Sequence, residues 1–209
     1  MTTKRIVIIS AGLSTPSSTR QLADRLTADA VAILRERGVE VEAQVFELRD
    51  LAHDIINHML MGFAPPKLEE ALDAVSSADG LIAVTPIFST SYAGLFKSFI
   101  DVIDPQALTD LPVLIGATGG TSRHSLAIDY AIRPLFTYLH AIPVTTGVFA
   151  ATSDWGNGGD GVRSLPDRIF RGAKEFAELV ERTDRSDLIN DPFALDRPVG
   201  HLVGGFTGE

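Results

Sequence analysis

The sequence predicts an α/β protein built on one parallel sheet. Short runs of β-branched apolar residues alternate with longer amphipathic segments along the chain. The alternation recurs five times, and repeated strand–helix units form parallel sheets because each crossover helix returns the chain to the same edge. The run at 80–85 is apolar almost without interruption, which is typical of a strand covered on both faces. We therefore expect a five-stranded sheet with helices on both faces.

The first half of the chain contains the first two strands. Residues 6–9 form a short apolar run, and 19–37 carry apolar side chains at helical spacing until Gly38 ends the helix. Residues 39–46 alternate apolar and polar side chains, which predicts a half-exposed strand at the sheet edge. A helix over 67–77 then leads into the third strand.

The second half continues the pattern with two more strands and three helices. We predict helices over 95–103, 122–138 and 165–182, and strands over 111–117 and 142–150. Five strands with a ligand-binding loop after the first fit the order 2-1-3-4-5, which is called flavodoxin-like. The expected architecture is a three-layer sandwich of helices, sheet and helices.

The domain prediction is one folded unit over 1–183 followed by a tail over 184–209. The tail changes composition, because it holds four glycines, two prolines and scattered acidic residues. We expect it to be loose or docked on a partner subunit.

Composition excludes several classes of function. The chain has 18 Lys and Arg against 27 Asp and Glu, a net charge of −9, which argues against binding to a nucleic-acid backbone. It has no cysteine, so thiolate nucleophiles, disulfides, zinc–thiolate sites and iron–sulfur clusters are impossible. A cytoplasmic location is the simplest expectation. No membrane span is expected, because the uncharged run at 80–96 is short and contains Pro86.

Three loops at the predicted carboxyl edge of the sheet are candidate ligand sites, since ligands bind there in such folds. The first loop, 10–20, offers five hydroxyls besides Ser10, and it leads into a helix N-terminus whose free amides suit a phosphate. The alternative is that these residues only cap the helix. The loop matches neither the GxxxxGK[ST] nor the GxGxxG phosphate motif.

The second and third loops suit an aromatic ligand. The second loop, 85–97, places aromatic side chains and hydroxyls at the edge, as a flat heteroaromatic ring requires, although a core-packed turn would look the same. The third loop, 117–124, has paired glycines that let the backbone approach a ligand closely. Taken alone, His124 fits a structural histidine better than a ligand contact.

Together these segments resemble one known family. The motifs are the Ser-rich first loop, Thr85-Pro86-x-Phe88-x-x-Ser91-Tyr92-x-Gly94-x-x-Lys97, Ala117-Thr118-Gly119-Gly120-x-x-x-His124 and Leu126-Ala127-x-Asp129-Tyr130-Ala131-x-Arg133-Pro134. Residues 4–182 resemble the NAD(P)H-dependent FMN reductases. Within that family, the chain is most similar to the alkanesulfonate-type reductases that supply reduced flavin to two-component monooxygenases. The first loop departs from the common Gly-Ser-x-Arg opening, and Phe88 stands where tyrosine is frequent.

The resemblance implies FMN and NAD(P)H as ligands and a set of cofactor-binding residues. It places the FMN phosphate at Ser14, Ser17, Ser18 and Thr19, with Ser10 and Gly12 completing the first-loop set. It places the isoalloxazine ring at Pro86, Ile87, Phe88, Ser89 and Ser91, flanked by Thr118, Gly119, Gly120 and His124. No catalytic side chain is assigned, because the nicotinamide passes its hydride directly to the flavin N5.

The resemblance also implies partners. These are a flavin-dependent monooxygenase and further copies of the chain, as a homodimer or homotetramer, with Tyr130 a candidate subunit contact. Two flavin-binding alternatives stay open: a quinone, azo-dye or metal reductase that retains FMN, and a flavodoxin-type electron carrier. A hydrolase without flavin is a remote alternative, since the chain has no GxSxG motif.

Two other patterns carry less weight. Residues 156–161 match GxGxxG, but they follow the last strand and open no βαβ unit, so we predict a mobile loop near the flavin, beside Trp155, instead of a dinucleotide fingerprint. His53 and His58 lack metal-ligand spacing, and we expect no metal. Arg20 and Arg123 are candidates to recognise the 2′-phosphate that separates NADPH from NADH.

Overall fold

The computed structural model describes residues 3–156 and 163–186. Its strands are β1 (Thr3–Ser10), β2 (Glu40–Glu47), β3 (Gly80–Phe88), β4 (Ser91–Tyr92), β5 (Pro112–Gly119), β6 (Ile142–Pro143) and β7 (Val148–Ala151). Its α-helices are α1 (Ser18–Glu36), α2 (Ala52–Met61), α3 (Pro66–Ser76), α4 (Gly94–Asp101), α5 (Arg133–Tyr138) and α6 (Leu165–Arg182).

The sheet has the predicted order, with β2 at one edge followed by β1, β3 and β5. These strands are parallel, and both β6 and β7 pair in parallel with β5. The short β4 turns back antiparallel to β3. The flavodoxin-like order 2-1-3-4-5 is therefore confirmed, with the fifth strand divided into two short pieces.

The division of the fifth strand has a physical cause. The Arg133 guanidinium donates hydrogen bonds of 2.7 and 2.9 Å to the carbonyls of Val144 and Thr145. The Thr146 N–H donates to the Glu175 carboxylate at 2.7 Å. These backbone groups are satisfied by side chains, so the strand ladder is interrupted between β6 and β7.

Two segments differ from the predicted helices. The sequence pattern did not reveal α2, because Ile55 is buried whereas Leu60 and Met61 of the same helix are exposed, so the apolar residues do not form one clean face. The predicted helix over 122–138 is divided into a 3₁₀ turn, a wider π-helical turn and α5. Pro134 lacks the N–H that a regular helix would donate there, and α5 begins at that point.

The core has two halves, one on each face of the sheet. Ile6 and Ile8 of β1 pack in one cluster, which includes Phe176 of α6, while Val7 and Ile9 pack in the other. This alternation is the period of a strand covered on both faces. Phe96, Phe99 and Phe136 are fully buried in the second cluster.

The chain that follows α6 begins by docking on this same domain. The Arg185 side chain is buried and donates to the carbonyls of Ala107 at 2.6 Å and Thr109 at 3.1 Å, and also to that of Ala78. Lys4 donates to the Thr183 carbonyl at 2.9 Å. The remainder of the predicted tail, from residue 187, lies outside the described residues. In the described part of the chain, no helix has the length and apolar character needed to cross a membrane.

Candidate functional site

The three candidate loops begin side by side at the carboxyl edge of the sheet. In the register of the strands, Ser10 at the end of β1 pairs with Val84 of β3, and Pro86 pairs with Thr118 of β5. The first loop is joined to β3 by the Ala11 N–H, which donates to the Val84 carbonyl at 2.9 Å. The predicted convergence of the loops is thus present.

The first loop makes a tight turn before α1. A Cβ on Gly12 would lie 2.0 Å from Ser17 Oγ, so a larger residue would force the Ser17 side chain to shift. Ser17 is buried and caps α1, accepting a hydrogen bond of 3.2 Å from the Arg20 N–H. Ser17 therefore plays the structural role that the simpler interpretation required.

The other hydroxyls of the first loop have different surroundings. Ser14 is exposed and donates to the Pro16 carbonyl at 3.0 Å, and Ser18 is exposed at the start of α1. Thr19 is buried. Ser10 Oγ is also buried and has no hydrogen-bond partner among the described residues, so its hydroxyl is free to bond a ligand or water.

A buried hydrogen bond ties the first loop to the third. Thr19 Oγ1 and Thr118 Oγ1 lie 2.9 Å apart, and each residue is only 3% exposed. One hydroxyl donates to the other, so neither is left unpaired. The start of α1 is thereby fixed against the end of β5.

The second loop is held by Thr85 and a tight hairpin. Thr85 Oγ1 accepts from the Ala93 N–H at 3.1 Å and donates to the Pro86 carbonyl at 3.0 Å. Between β3 and β4, Ser89 and Thr90 have φ values of 49° and 73°, the left-handed conformation that two-residue hairpin turns demand at both central positions.

The side chains of the second loop divide between the core and the surface. Ile87 packs in the core, so only its backbone faces the edge of the sheet. Phe88 pairs with Ser91 across the hairpin and is 48% exposed. An exposed aromatic ring at the sheet edge can cover the apolar face of a flat ligand.

The third loop is shaped by its glycines. A Cβ on Gly119 would lie 2.9 Å from the Phe149 ring of β7, whereas a Cβ on Gly120 would meet only open space. Thr121 caps the 3₁₀ turn, and His124, at the end of that turn, is half-buried. The loop therefore presents exposed backbone beside Gly120, next to the paired ends of β3 and β5.

Two groups of residues around the loops had not been predicted. Arg168 of α6 donates to Asp154 at 2.6 Å, and Asp154 accepts from the Ala151 N–H at 2.7 Å, which fixes the end of β7. Arg25 of α1 lies 4.9 Å from the Trp155 ring centroid. Nothing in the local sequence pattern signals the pairs Arg168–Asp154 and Arg25–Trp155, because the two residues of each pair belong to different elements.

The arginines near the first loop are engaged with acidic residues. Arg20 donates to Asp24 and Glu47 at 2.7 Å each, and the hydrogen bond to Asp24 is the main reason that the pKa of Arg20 is raised. Arg49 contacts the first loop from the end of β2. The sequence did offer a signal for Arg49, because it lies in the turn that directly follows β2. The carboxyl end of β2 lies beside that of β1, where the first loop begins.

Two of the remaining predictions concern metals and the glycine-rich segment. Within residues 3–156 and 163–186, no group of three or more His, Asp and Glu side chains could hold a metal ion. The GxGxxG match and the predicted mobile loop fall mainly on 157–162, which lie outside the described residues.

Comparison with known proteins identifies close relatives. A family model described as NADPH-dependent FMN reductase matches residues 4–156. The chain is 37% identical to an FMN reductase (NADPH) of Pseudomonas aeruginosa over 88% of this chain and 96% of the relative. It is 35% identical to the NADH-dependent FMN reductase SfnF of Pseudomonas fluorescens, over 84% and 91%. A solved oxidoreductase from Corynebacterium diphtheriae is 45% identical with a TM-score of 0.83, covering 87% of this chain and 99% of that one.

Proposed function

Because the chain belongs to the NADPH-dependent FMN reductase family, and is therefore an NAD(P)H:FMN oxidoreductase, we propose that the carboxyl edge of its sheet binds both FMN and the nicotinamide. Three loops meet at this edge, and each has features that suit a different part of the flavin. The proposal assigns the phosphate to the first loop and the isoalloxazine ring to the second and third loops.

The first loop fits a phosphate. Its amides at the N-terminus of α1 carry partial positive charge, and the close approach of Gly12 to Ser17 holds them in a tight turn. The buried, unpartnered hydroxyl of Ser10 lies at the start of the same loop. The residues proposed to form this part of the site are Ser10, Gly12, Ser14, Ser17, Ser18 and Thr19.

The second and third loops fit the ring. Phe88 supplies an exposed aromatic surface, and the open space beside Gly120 leaves room for a ligand against the backbone. Thr118 is fixed by Thr19, so the end of β5 is a rigid platform. The residues proposed for this part of the site are Pro86, Ile87, Phe88, Ser89, Ser91, Thr118, Gly119, Gly120 and His124.

The chain's own residues act by positioning. Bound FMN supplies the redox chemistry, since it accepts a hydride from the reduced nicotinamide. In the proposed site, the backbone amides near Gly119 and Gly120 would donate hydrogen bonds to the polar edge of the ring. We assign no side-chain nucleophile, acid or base. The role of the loops is to hold the flavin and the nicotinamide in contact.

The reduced flavin is proposed to pass to a flavin-dependent monooxygenase, as the resemblance to alkanesulfonate-type reductases implies. Steady-state rates with excess free FMN, compared with those with a quinone acceptor, test this role. Faster turnover with free FMN would support transfer of reduced flavin to a monooxygenase. Faster turnover with the quinone, with the flavin still bound to the protein, would contradict that role. The predicted subunit contact at Tyr130 also stays a prediction, and this side chain is 82% exposed in the single chain.

The single observation that carries the proposed site is the close approach of Gly12 to Ser17, and Gly12→Ala tests it. The added methyl group would collide with Ser17 Oγ and disturb the cap of α1, so we expect the Kd for FMN to rise at least about tenfold. FMN fluorescence titration of the apo-protein measures this Kd, and nucleotide absorbance measures NAD(P)H oxidation.

Gly94→Ala is the matched control, because Gly94 begins α4 and a Cβ there meets nothing within 4 Å. It should bind FMN as the unmodified chain does. Equal FMN affinity in Gly12→Ala and the unmodified chain would overturn the assigned phosphate site.

A further inference from the structure

Arg49 reaches the first loop from a different part of the fold. It lies in the 3₁₀ turn that follows β2, and its Nη1 donates to the Ser14 carbonyl at 3.4 Å. The same nitrogen contacts the Thr15 hydroxyl. A single guanidinium therefore holds two consecutive residues at the tip of the first loop.

The first loop has little positive charge of its own. Arg20 is the single lysine or arginine between residues 10 and 20. Its guanidinium is already bound to Asp24 and Glu47, at 2.7 Å each. An anion in the first loop would have to compete with two carboxylates for Arg20, so Arg20 adds little positive charge to that of the helix amides.

Arg49 also lies close to two acidic residues. Its Nε lies 3.3 Å from the Asp50 carboxylate and 3.6 Å from that of Glu47, and it is buried without a hydrogen bond to any described residue. The side chain is 32% exposed. Two acidic neighbours thus orient the guanidinium while Nη1 faces the loop. A planar guanidinium presents parallel N–H donors, so it suits a phosphate better than a flexible ammonium does.

We propose that Arg49 is a specificity-determining residue for the flavin phosphate. It holds the tip of the first loop in the conformation that binds the phosphate, and its positive charge offsets the phosphate dianion. The chain therefore prefers FMN to riboflavin, which has the same ring and ribityl chain without the phosphate. This inference rests on the proposed function, because it requires the FMN phosphate to lie in the first loop.

Equilibrium titration of the apo-proteins with FMN and with riboflavin tests the inference without relying on turnover. For Arg49→Gln we expect the Kd for FMN to rise about tenfold, while the Kd for riboflavin changes by less than about twofold. Arg49→Lys keeps the positive charge but loses the planar guanidinium. Its Kd for FMN should therefore lie between those of the unmodified chain and Arg49→Gln. Raising the salt concentration should reduce the difference between Arg49→Gln and the unmodified chain, because salt screens a charge on the surface.

Arg35→Gln is the matched control, because it removes one exposed positive charge at the other end of α1, about 25 Å away. It should bind both flavins as the unmodified chain does, and thermal unfolding should show that all variants fold. If Arg49→Gln weakens FMN and riboflavin equally, or weakens neither, the inference is wrong. Failure of the unmodified chain to bind FMN would instead overturn the proposed function.

Discussion

Thr19 and Thr118, which are 99 positions apart in the chain, share a hydrogen bond of 2.9 Å in the interior beneath the candidate site. Thr19→Val should leave the Thr118 hydroxyl buried without a partner, which costs about 1–3 kcal/mol of unfolding free energy. The double variant Thr19→Val/Thr118→Val removes both hydroxyls, so it should lose less than the sum of the single losses. Urea unfolding measures all three values.

Thr27→Val is the control for this cycle, because the Thr27 hydroxyl donates only to the Ala23 carbonyl within α1. We expect it to cost less than about 1 kcal/mol. Additive losses in the Thr19 and Thr118 variants would show that the two hydroxyls do not act as a pair.

Thr90 has a φ of 73°, a conformation that is unfavourable for a β-branched residue and easily adopted by glycine. Thr90→Gly should therefore stabilise the protein by about 0.5–1 kcal/mol. Thr109→Gly serves as the control, because Thr109 has a φ of −58° and glycine there only adds flexibility to the unfolded chain. Thermal unfolding should show opposite shifts in Tm, and a lower Tm for Thr90→Gly would contradict the argument.

Arg185 anchors the segment that follows α6 at the edge of the sheet opposite the candidate site. Its guanidinium donates hydrogen bonds to the carbonyls of Ala78, Ala107 and Thr109, which precede β3 and β5. Arg185→Ala leaves these acceptors without that donor and should cost about 2–4 kcal/mol in unfolding free energy. Affinity for FMN should be unchanged at temperatures where the variant is folded.

Arg182→Ala is the comparison for Arg185→Ala, because Arg182 ends α6 and is exposed. It should change the unfolding free energy by no more than about 0.5 kcal/mol. A similar small loss in Arg185→Ala would show that the buried guanidinium does not anchor the segment after α6.

Glu175 makes stability depend on acidic pH. Burial by itself raises the pKa of Glu175, but hydrogen bonds from the Thr146 hydroxyl and N–H, together with Arg171, outweigh it, so the pKa is lowered. A carboxyl with a lower pKa in the folded state stabilises the fold above its unfolded pKa, about 4.3, and loses that contribution as the pH falls further. Glu175→Gln should therefore be less stable than the unmodified chain near neutral pH, and this difference should shrink in acid.

Urea unfolding at about pH 7 and about pH 4 measures this difference. The pH-dependent part should stay below about 1 kcal/mol, because the carboxylate is partly exposed and screened by solvent. Thr146→Val removes one of the hydrogen-bond donors to Glu175. Its loss of unfolding free energy should therefore depend on pH less than the loss in Glu175→Gln does. A difference that is the same at both pH values would refute the assignment to Glu175.

The regular elements could be predicted because they are encoded locally. Helix α6 has the predicted bounds of 165–182, since its apolar residues repeat at helical spacing and Ser164 caps its first turn. The flavodoxin-like order followed from the number of strand–helix repeats and the loop after β1. Helix α2 was missed, because Leu60 and Met61 are apolar but exposed, so its sequence does not show one apolar face.

The candidate site could be predicted only as a set of loops. Parallel strands end at one edge, so the sequence placed the first, second and third loops together, and the comparisons confirm the FMN reductase family that their motifs resemble. Two predicted members have structural roles as well: Ser17 caps α1, and the side chain of Ile87 lies in the core. Arg49 was missed, because it lies in the turn after β2, outside the three candidate loops, and no motif marks it.

By itself, the sequence determined most of the regular elements, the order of the strands and the loops that meet at the carboxyl edge, because hydrophobic periodicity and turn residues act over a few positions of the chain. Only the tertiary structure decided which side chains touch: Thr19 with Thr118, Arg49 with the tip of the first loop, and Arg133 with the interrupted fifth strand. These contacts depend on distances between elements that are far apart in sequence, and such distances are set by how the helices pack on the sheet.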